Sequence, residues 1–87
     1  MSGMNFEQFK EKLEDSYSWP SLYMFKFIVR AEKENDVISL FSKHDVSRKH
    51  SKNGKYISIT SEIMAGSSDQ VISIYQAASK IEGIIAL

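Results

Sequence analysis

The stretch SKNGKYISIT, residues 51–60, combines a tight-turn signal with the start of an alternating strand. The dipeptide Asn53-Gly54 is typical of a type I′ hairpin turn, in which both central residues take positive φ. After this dipeptide, apolar and polar residues alternate, as in a strand with one buried face. We therefore predict a hairpin that joins a strand over 46–52 to a strand over 55–65. The polar side of the second strand carries Tyr56, Ser58, Thr60, Glu62 and Met64.

Another strand is predicted over residues 22–31, LYMFKFIVRA, because this stretch is rich in aromatic and β-branched residues. Its alternation places Phe25 and Phe27 on one face together with Tyr23 and Val29. The opposite face carries a lysine and is therefore the more open one. That open face consists of Leu22, Met24, Lys26 and Ile28.

Three helices are expected around these strands. Phe6, Phe9 and Leu13 have helical spacing, and Trp19-Pro20 ends that first segment. A second helix is predicted within residues 32–45, where apolar residues recur with helical periodicity. The third follows a capping-box pair, Ser67 and Gln70, and is expected to end near Gly83. The last residues, 84–87, then form a short strand.

This order predicts an α+β protein of the ferredoxin-like split β-α-β-β-α-β class, with an extra N-terminal helix. We expect an antiparallel sheet of strand order 4-1-3-2, with both long helices on one face. Residues 1–18 would form an N-terminal helical arm and residues 19–87 the domain. The hydrophobic stripe of the arm favours packing against its own domain over binding a partner.

The composition limits the classes of protein to which this chain could belong. The 87 residues allow one domain, and their formal net charge is zero, so the overall charge favours neither nucleic acid nor membrane. There is no cysteine, which excludes disulfides and thiolate chemistry. No apolar run approaches the roughly 18 residues of a membrane helix. We expect a cytoplasmic protein that does not bind membranes.

Several of these segments together resemble the small bacterial YbeD-like family, whose function is unknown. The resemblance covers roughly residues 19–87, including the last segment QVISIYQAASKIEGIIAL, 70–87. It implies a ferredoxin-like fold similar to ACT-type regulatory domains and no established enzyme activity. It supplies no catalytic residue. The residues that carry it are Trp19-Pro20, Phe25-Lys26-Phe27-Ile28, Ser51, Gly54, Tyr56, Ser58 and Thr60.

The open face of the predicted sheet is the leading candidate site. Its side chains mix Met and Tyr, which are favoured at interface centres, with Ser, Thr and Lys. We therefore predict a regulatory or adaptor domain that binds a protein partner or a small effector there. Either a monomer or a homodimer is compatible with this surface. The candidate residues on the face are Met24, Lys26, Ile28, Tyr56, Ser58 and Thr60.

The basic segment 43–55 gives the alternative, nucleic-acid binding along the hairpin. Lys43, Arg48, Lys49, Lys52 and Lys55 against Asp45 give +5 − 1 = +4, and the rest of the chain carries −4. We name Arg48, Lys49 and Lys52 as the candidate contacts. A lysine-rich edge strand also prevents aggregation, which is the more common role. RNA-binding sheets stack bases on several aromatic residues, whereas this face offers only one.

Catalytic and metal sites are not indicated by the sequence. His44 and His50 are the only histidines, and neither HxH nor HExxH spacing occurs. Gly54, Gly66 and Gly83 are isolated, so there is no glycine-rich phosphate loop. Glu62 lacks a partner residue that would make it a catalytic base. We therefore expect no enzyme activity, no metal and no cofactor.

Overall fold

The computed structural model describes residues 5–41 and 44–87. The helices are α1 (Phe6–Ser16), α2 (Glu34–Ile38) and α3 (Ser68–Ala78), and the strands are β1 (Ser21–Arg30), β2 (Ser47–His50), β3 (Tyr56–Ala65) and β4 (Ile85–Ala86). Short 3-10 turns, Ala31–Lys33 and Ser39–Phe41, flank α2. The longest helices in these two ranges have eleven residues, so none is able to cross a bilayer.

The four strands form one antiparallel sheet in the order β2-β3-β1-β4, which is the expected order 4-1-3-2 read from the other edge. β1 and β3 pair along their full length, from Ser21 opposite Ala65 to Arg30 opposite Tyr56. β2 and β4 are short outer strands of four and two residues. The long central pair therefore sets the register of the whole sheet.

The core lies between one face of this sheet and the helices. Alternate residues of the central strands are buried there, because a period of two places them on the same side. They pack against Val37 and Phe41 from the α2 region and Val71 and Ala78 from α3. The buried strand residues are Phe25, Phe27, Val29, Ile57, Ile59, Ser61, Ile63 and Ala65.

Helix α1 docks on the same side of the sheet as α3. Leu13 is buried, and the ring of Phe9 meets that of Tyr75 edge-on at 5.3 Å. Lys10 Nζ donates to Asp69 Oδ1 at 2.9 Å, which raises the pKa of the lysine. Asn5 caps the helix by accepting from the N–H groups of Glu7 and Gln8. The prediction that the N-terminal helix packs on its own domain is thus confirmed.

The second predicted helix is wrong in length. The α-helical part is five residues, Glu34–Ile38, and His44 lies beyond it in a bend. Residues 35–39 are Asn, Asp, Val, Ile and Ser, and all have weak helix propensity. The Ser39 hydroxyl also donates to the Asp36 carbonyl at 2.7 Å, which competes with the regular helix ladder. Residues 42 and 43, which fall within the predicted range 32–45, lie outside the described residues.

The hairpin turn also differs from the prediction. Within the turn only Gly54 has positive φ, at 75°, whereas a type I′ turn would require it at Asn53 as well. The Ser51 N–H donates to the Tyr56 carbonyl at 2.8 Å, so four residues form the loop. Asn53 Oδ1 instead accepts from the Lys55 N–H at 3.0 Å. The longer loop shortens the predicted strand 46–52 to Ser47–His50.

Candidate functional site

The candidate site is the sheet face that none of the three described helices covers. We call it the open face and define it by Leu22, Met24, Lys26, Ile28, Ser47, Lys49, Tyr56, Ser58, Thr60, Glu62, Met64, Ile85 and Leu87. Directly opposite residues of antiparallel strands share a face. The pairs Lys26–Thr60 and Ile28–Ser58 therefore place the predicted residues of both central strands side by side.

Hydrophobic exposure is concentrated on the open face. Seven large hydrophobic side chains are exposed in the described part of the chain, and Tyr17 is the one that lies elsewhere. The other six are between 43% and 64% exposed, a large fraction for such side chains. They are Leu22, Met24, Tyr56, Met64, Ile85 and Leu87.

The apolar residues form two groups along the central strands. Leu22, Met24 and Met64 lie at one end, since Leu22 is opposite Met64. Ile28 and Ile85 pair at the other end, beside Tyr56. Sequence reasoning missed Ile85 and Leu87. The alternation of a strand this short is too brief to assign a face, and only pairing with β1 does so.

Polar groups lie between the two apolar groups and beside each of them. Lys26 and Glu62 come from β1 and β3, and Lys49 comes from β2 opposite Ser58. None of these three charges forms an ion pair within residues 5–41 and 44–87. The Arg30 guanidinium lies 5.8 Å from the Tyr56 ring centroid and bonds to Glu32 at 3.1 Å. The face therefore presents charges that are available to a ligand.

Two shallow clefts open on this face. One, of about 230 Å³, lies between β2 and β3 beside Ile28 and is lined by Lys49, Ser51, Tyr56 and Ser58. The other, of about 320 Å³, lies beside Met24 and is lined by Asp45, Thr60 and Glu62. Pockets for drug-sized molecules measure about 300–1,000 Å³ and enclose most of the ligand. These clefts are small and open, and they suit individual side chains of a protein.

The basic residues of the hairpin do not share one surface. Lys49 lies on the open face, but Arg48 is opposite Ile59, whose side chain points into the core. The Arg48 guanidinium bonds to the carboxylate of Glu34 in α2. Lys52 is exposed in the loop. Arg48 and Lys49 therefore lie on opposite sides of β2, because neighbouring residues of a strand point to opposite faces.

No three His, Asp or Glu side chains in the described part of the chain are close enough to hold a metal ion. The hydroxyls of Tyr23 and Tyr75 form a hydrogen bond at 3.1 Å on the covered side of the sheet. Burial and this bond raise the pKa of Tyr75 well above its usual range.

Comparison with protein families gives a match over residues 14–87 to the family described as "Protein of unknown function (DUF493)". The chain belongs to this family. The match agrees with the YbeD-like resemblance and includes all four strands, α2 and α3. The first part of α1, including Phe9 and Leu13, precedes it. No curated protein and no solved structure matched the chain.

Proposed function

We propose that this DUF493 member is a non-enzymatic regulatory or adaptor domain that binds a protein partner through its open face. The single observation that carries the proposal is the concentration of exposed apolar side chains there. Contiguous exposed apolar surface with polar residues among it is typical of protein interaction sites. A small effector is the weaker alternative, because neither cleft encloses a ligand.

In the proposed mechanism, the domain acts when a partner occupies its open face. A partner that contacts Met24, Tyr56 and the cleft beside Ile28 would be favoured by apolar burial. Lys26, Lys49 and Glu62 would select among partners, since an unmatched charge in an interface is unfavourable. Binding of the partner to the open face would then favour the assembled state over the free state of the domain.

We also infer that the fold is of the ferredoxin-like split β-α-β type, as in ACT-type regulatory domains. The order β-α-β-β-α-β and the strand order 4-1-3-2 support this assignment. Nucleic-acid binding through the hairpin stays a prediction. It has less support, because Arg48 is held by Glu34.

The test of the proposed function is quantitative affinity capture from a native lysate of the source cells. Tyr56→Asp places a carboxylate beside the apolar group of Ile28 and Ile85, and we expect it to reduce recovery of a captured protein at least tenfold. Ala77→Asp is the matched control, because Ala77 is exposed on α3 away from the open face. Both variants are first checked for native circular dichroism.

A captured protein that is retained equally by both variants would contradict binding at the open face. Turnover of a substrate by the purified chain would contradict the non-enzymatic part of the proposal. A partner lost with Tyr56→Asp and kept with Ala77→Asp supports both the surface and the role.

A further inference from the structure

Strand β1 is only partly covered on its outer side. β4 pairs with Phe27 and Ile28, and the Leu87 N–H donates to the Lys26 carbonyl at 2.9 Å. Residues 21–25 of β1 have β3 on one side and, within the described ranges, no strand on the other. We call this segment the free edge.

The backbone groups of the free edge point outward at two residues. Because the Lys26 carbonyl points toward β4, alternation turns the N–H and C=O groups of Leu22 and Met24 to the same side. Those of Tyr23 and Phe25 point toward β3. Among the described residues, the Ser21 hydroxyl bonds to the Leu22 carbonyl at 3.3 Å, and no other hydrogen bond reaches these four groups. Unpaired N–H and C=O groups at the spacing of a strand are able to hydrogen-bond to the backbone of another extended segment.

The two edges of the sheet differ in their protection against such pairing. β2 reads SRKH, is short, and carries cations that oppose edge-to-edge association. The free edge reads SLYMF and has no charge. Its outward side chains, Leu22 and Met24, are more than half exposed. A neutral, apolar and unpaired edge is the kind that natural proteins otherwise block or cover.

We propose that the free edge pairs with the free edge of a second copy of this chain. In an antiparallel arrangement with the two-fold axis at Tyr23, Leu22 lies opposite Met24 of the second copy, and Met24 opposite Leu22. Each of these two pairs exchanges two N–H···O=C bonds, so all eight outward groups of the two copies are satisfied. No like charges face each other, and β4 (Ile85–Ala86) pairs with Phe27 and Ile28, outside the paired segment.

The size of the contact makes this a weak dimer. Five residues span about 17 Å, and a sheet layer plus a helix layer is about 20 Å thick, which gives roughly 340 Å² per copy. Stable interfaces bury about 800 Å² per partner. We therefore expect a dissociation constant on the order of 10⁻⁴ M, with dimers forming as the concentration rises. The inference is independent of partner binding at the open face.

Sedimentation equilibrium of the full chain between about 10 μM and 1 mM tests the dimer. Two double variants test its register, L22K/M24K and L22E/M24K. Both carry a lysine at position 24, so its contact with Glu62, which lies opposite in β3, is the same in each. In the proposed register, position 22 faces position 24 of the second copy. The first variant then opposes like charges and the second opposite charges.

We expect the dissociation constant of L22E/M24K to be about tenfold lower than that of L22K/M24K, since cross-strand charge pairs contribute at both symmetric positions. Equal dissociation constants would overturn the register. A wild-type chain that stays monomeric at 1 mM would overturn self-association altogether, whatever the capture experiment shows. Both variant positions are exposed, so native circular dichroism is expected of each variant.

Discussion

Tyr75 contacts several aromatic side chains on the covered side of the sheet. Its ring lies 5.1 Å from that of Phe25 and 5.8 Å from that of Phe27, and its hydroxyl bonds to that of Tyr23. Aromatic pairs at these separations add to the free energy of burial. The phenol is thus held neutral inside a mostly apolar cluster.

Removing the Tyr75 hydroxyl should lower stability and change its dependence on pH. Tyr75→Phe leaves the Tyr23 hydroxyl without its partner, which we expect to lower the free energy of unfolding by about 1 kcal/mol at neutral pH. The pKa of Tyr75 is higher in the folded protein than in the unfolded chain, where it is about 10. Tyr75 therefore contributes stability at pH values below the unfolded pKa, and this contribution is lost as the pH rises from there toward the folded pKa. Urea unfolding at pH 7 and pH 11 should show a smaller alkaline loss in the variant.

Tyr56→Phe is the control for this measurement, because the Tyr56 ring is exposed on the open face. A wild-type chain and a Tyr75→Phe variant that lose equal stability between pH 7 and pH 11 would contradict the assignment of the alkaline loss to Tyr75.

At the scale of elements, the turn at Gly54 connects β2 to β3. Its φ of 75° lies in the left-handed region, where a Cβ is unfavourable even though the surrounding space is open. Gly54→Ala should therefore lower the free energy of unfolding by roughly 1 kcal/mol, as measured by urea denaturation.

Gly66→Ala provides the comparison, because Gly66 lacks positive φ and a Cβ there would meet Gln70 Oε1 at an ordinary 3.5 Å. If the two alanine variants were equally stable, backbone strain at Gly54 would not be the reason for the glycine.

The sequence predicted the elements unequally, for reasons that the structure makes clear. β1 and β3 have long, regular alternation, and their buried and open faces were confirmed residue by residue. α2 was overestimated, because periodicity alone ignores the weak helix propensity around Asp36 and the competing Ser39 hydroxyl. In α3 the Ser67 cap was confirmed, but Gln70 accepts from the Gly66 N–H and not from that of Ser67, so the capping box is only half formed.

The open face was predicted in its central part and missed at its rim. Met24, Lys26, Ile28, Tyr56 and Ser58 follow from strand alternation alone. The side of β2 on which Arg48 lies was not predicted, since the four residues of β2 are all exposed and show no pattern that distinguishes their two faces. Ile85 and Leu87 required the pairing of β4 with β1, which is a long-range contact and is not visible in local sequence.

At the scale of the whole molecule, α1 extends the core beyond the region that the family match covers. Leu13 is buried, so Leu13→Ala should lower the free energy of unfolding by about 2–3 kcal/mol in urea denaturation. Lys12→Ala changes an exposed residue of the same helix and should have little effect. A Leu13→Ala variant as stable as the wild type would show that α1 adds nothing to the cooperative unit.

Trp19 lies where α1 joins β1, with its ring 5.4 Å from that of Tyr17 and its indole nitrogen buried without an acceptor among the described residues. It is the sole tryptophan of the chain. Selectively excited tryptophan fluorescence therefore reports on the junction between α1 and β1, whereas far-ultraviolet circular dichroism averages over every helix and strand. Superimposable denaturation curves from these two optical signals would identify a single all-or-none transition, and an earlier fluorescence change would reveal the helix detaching while the sheet persists.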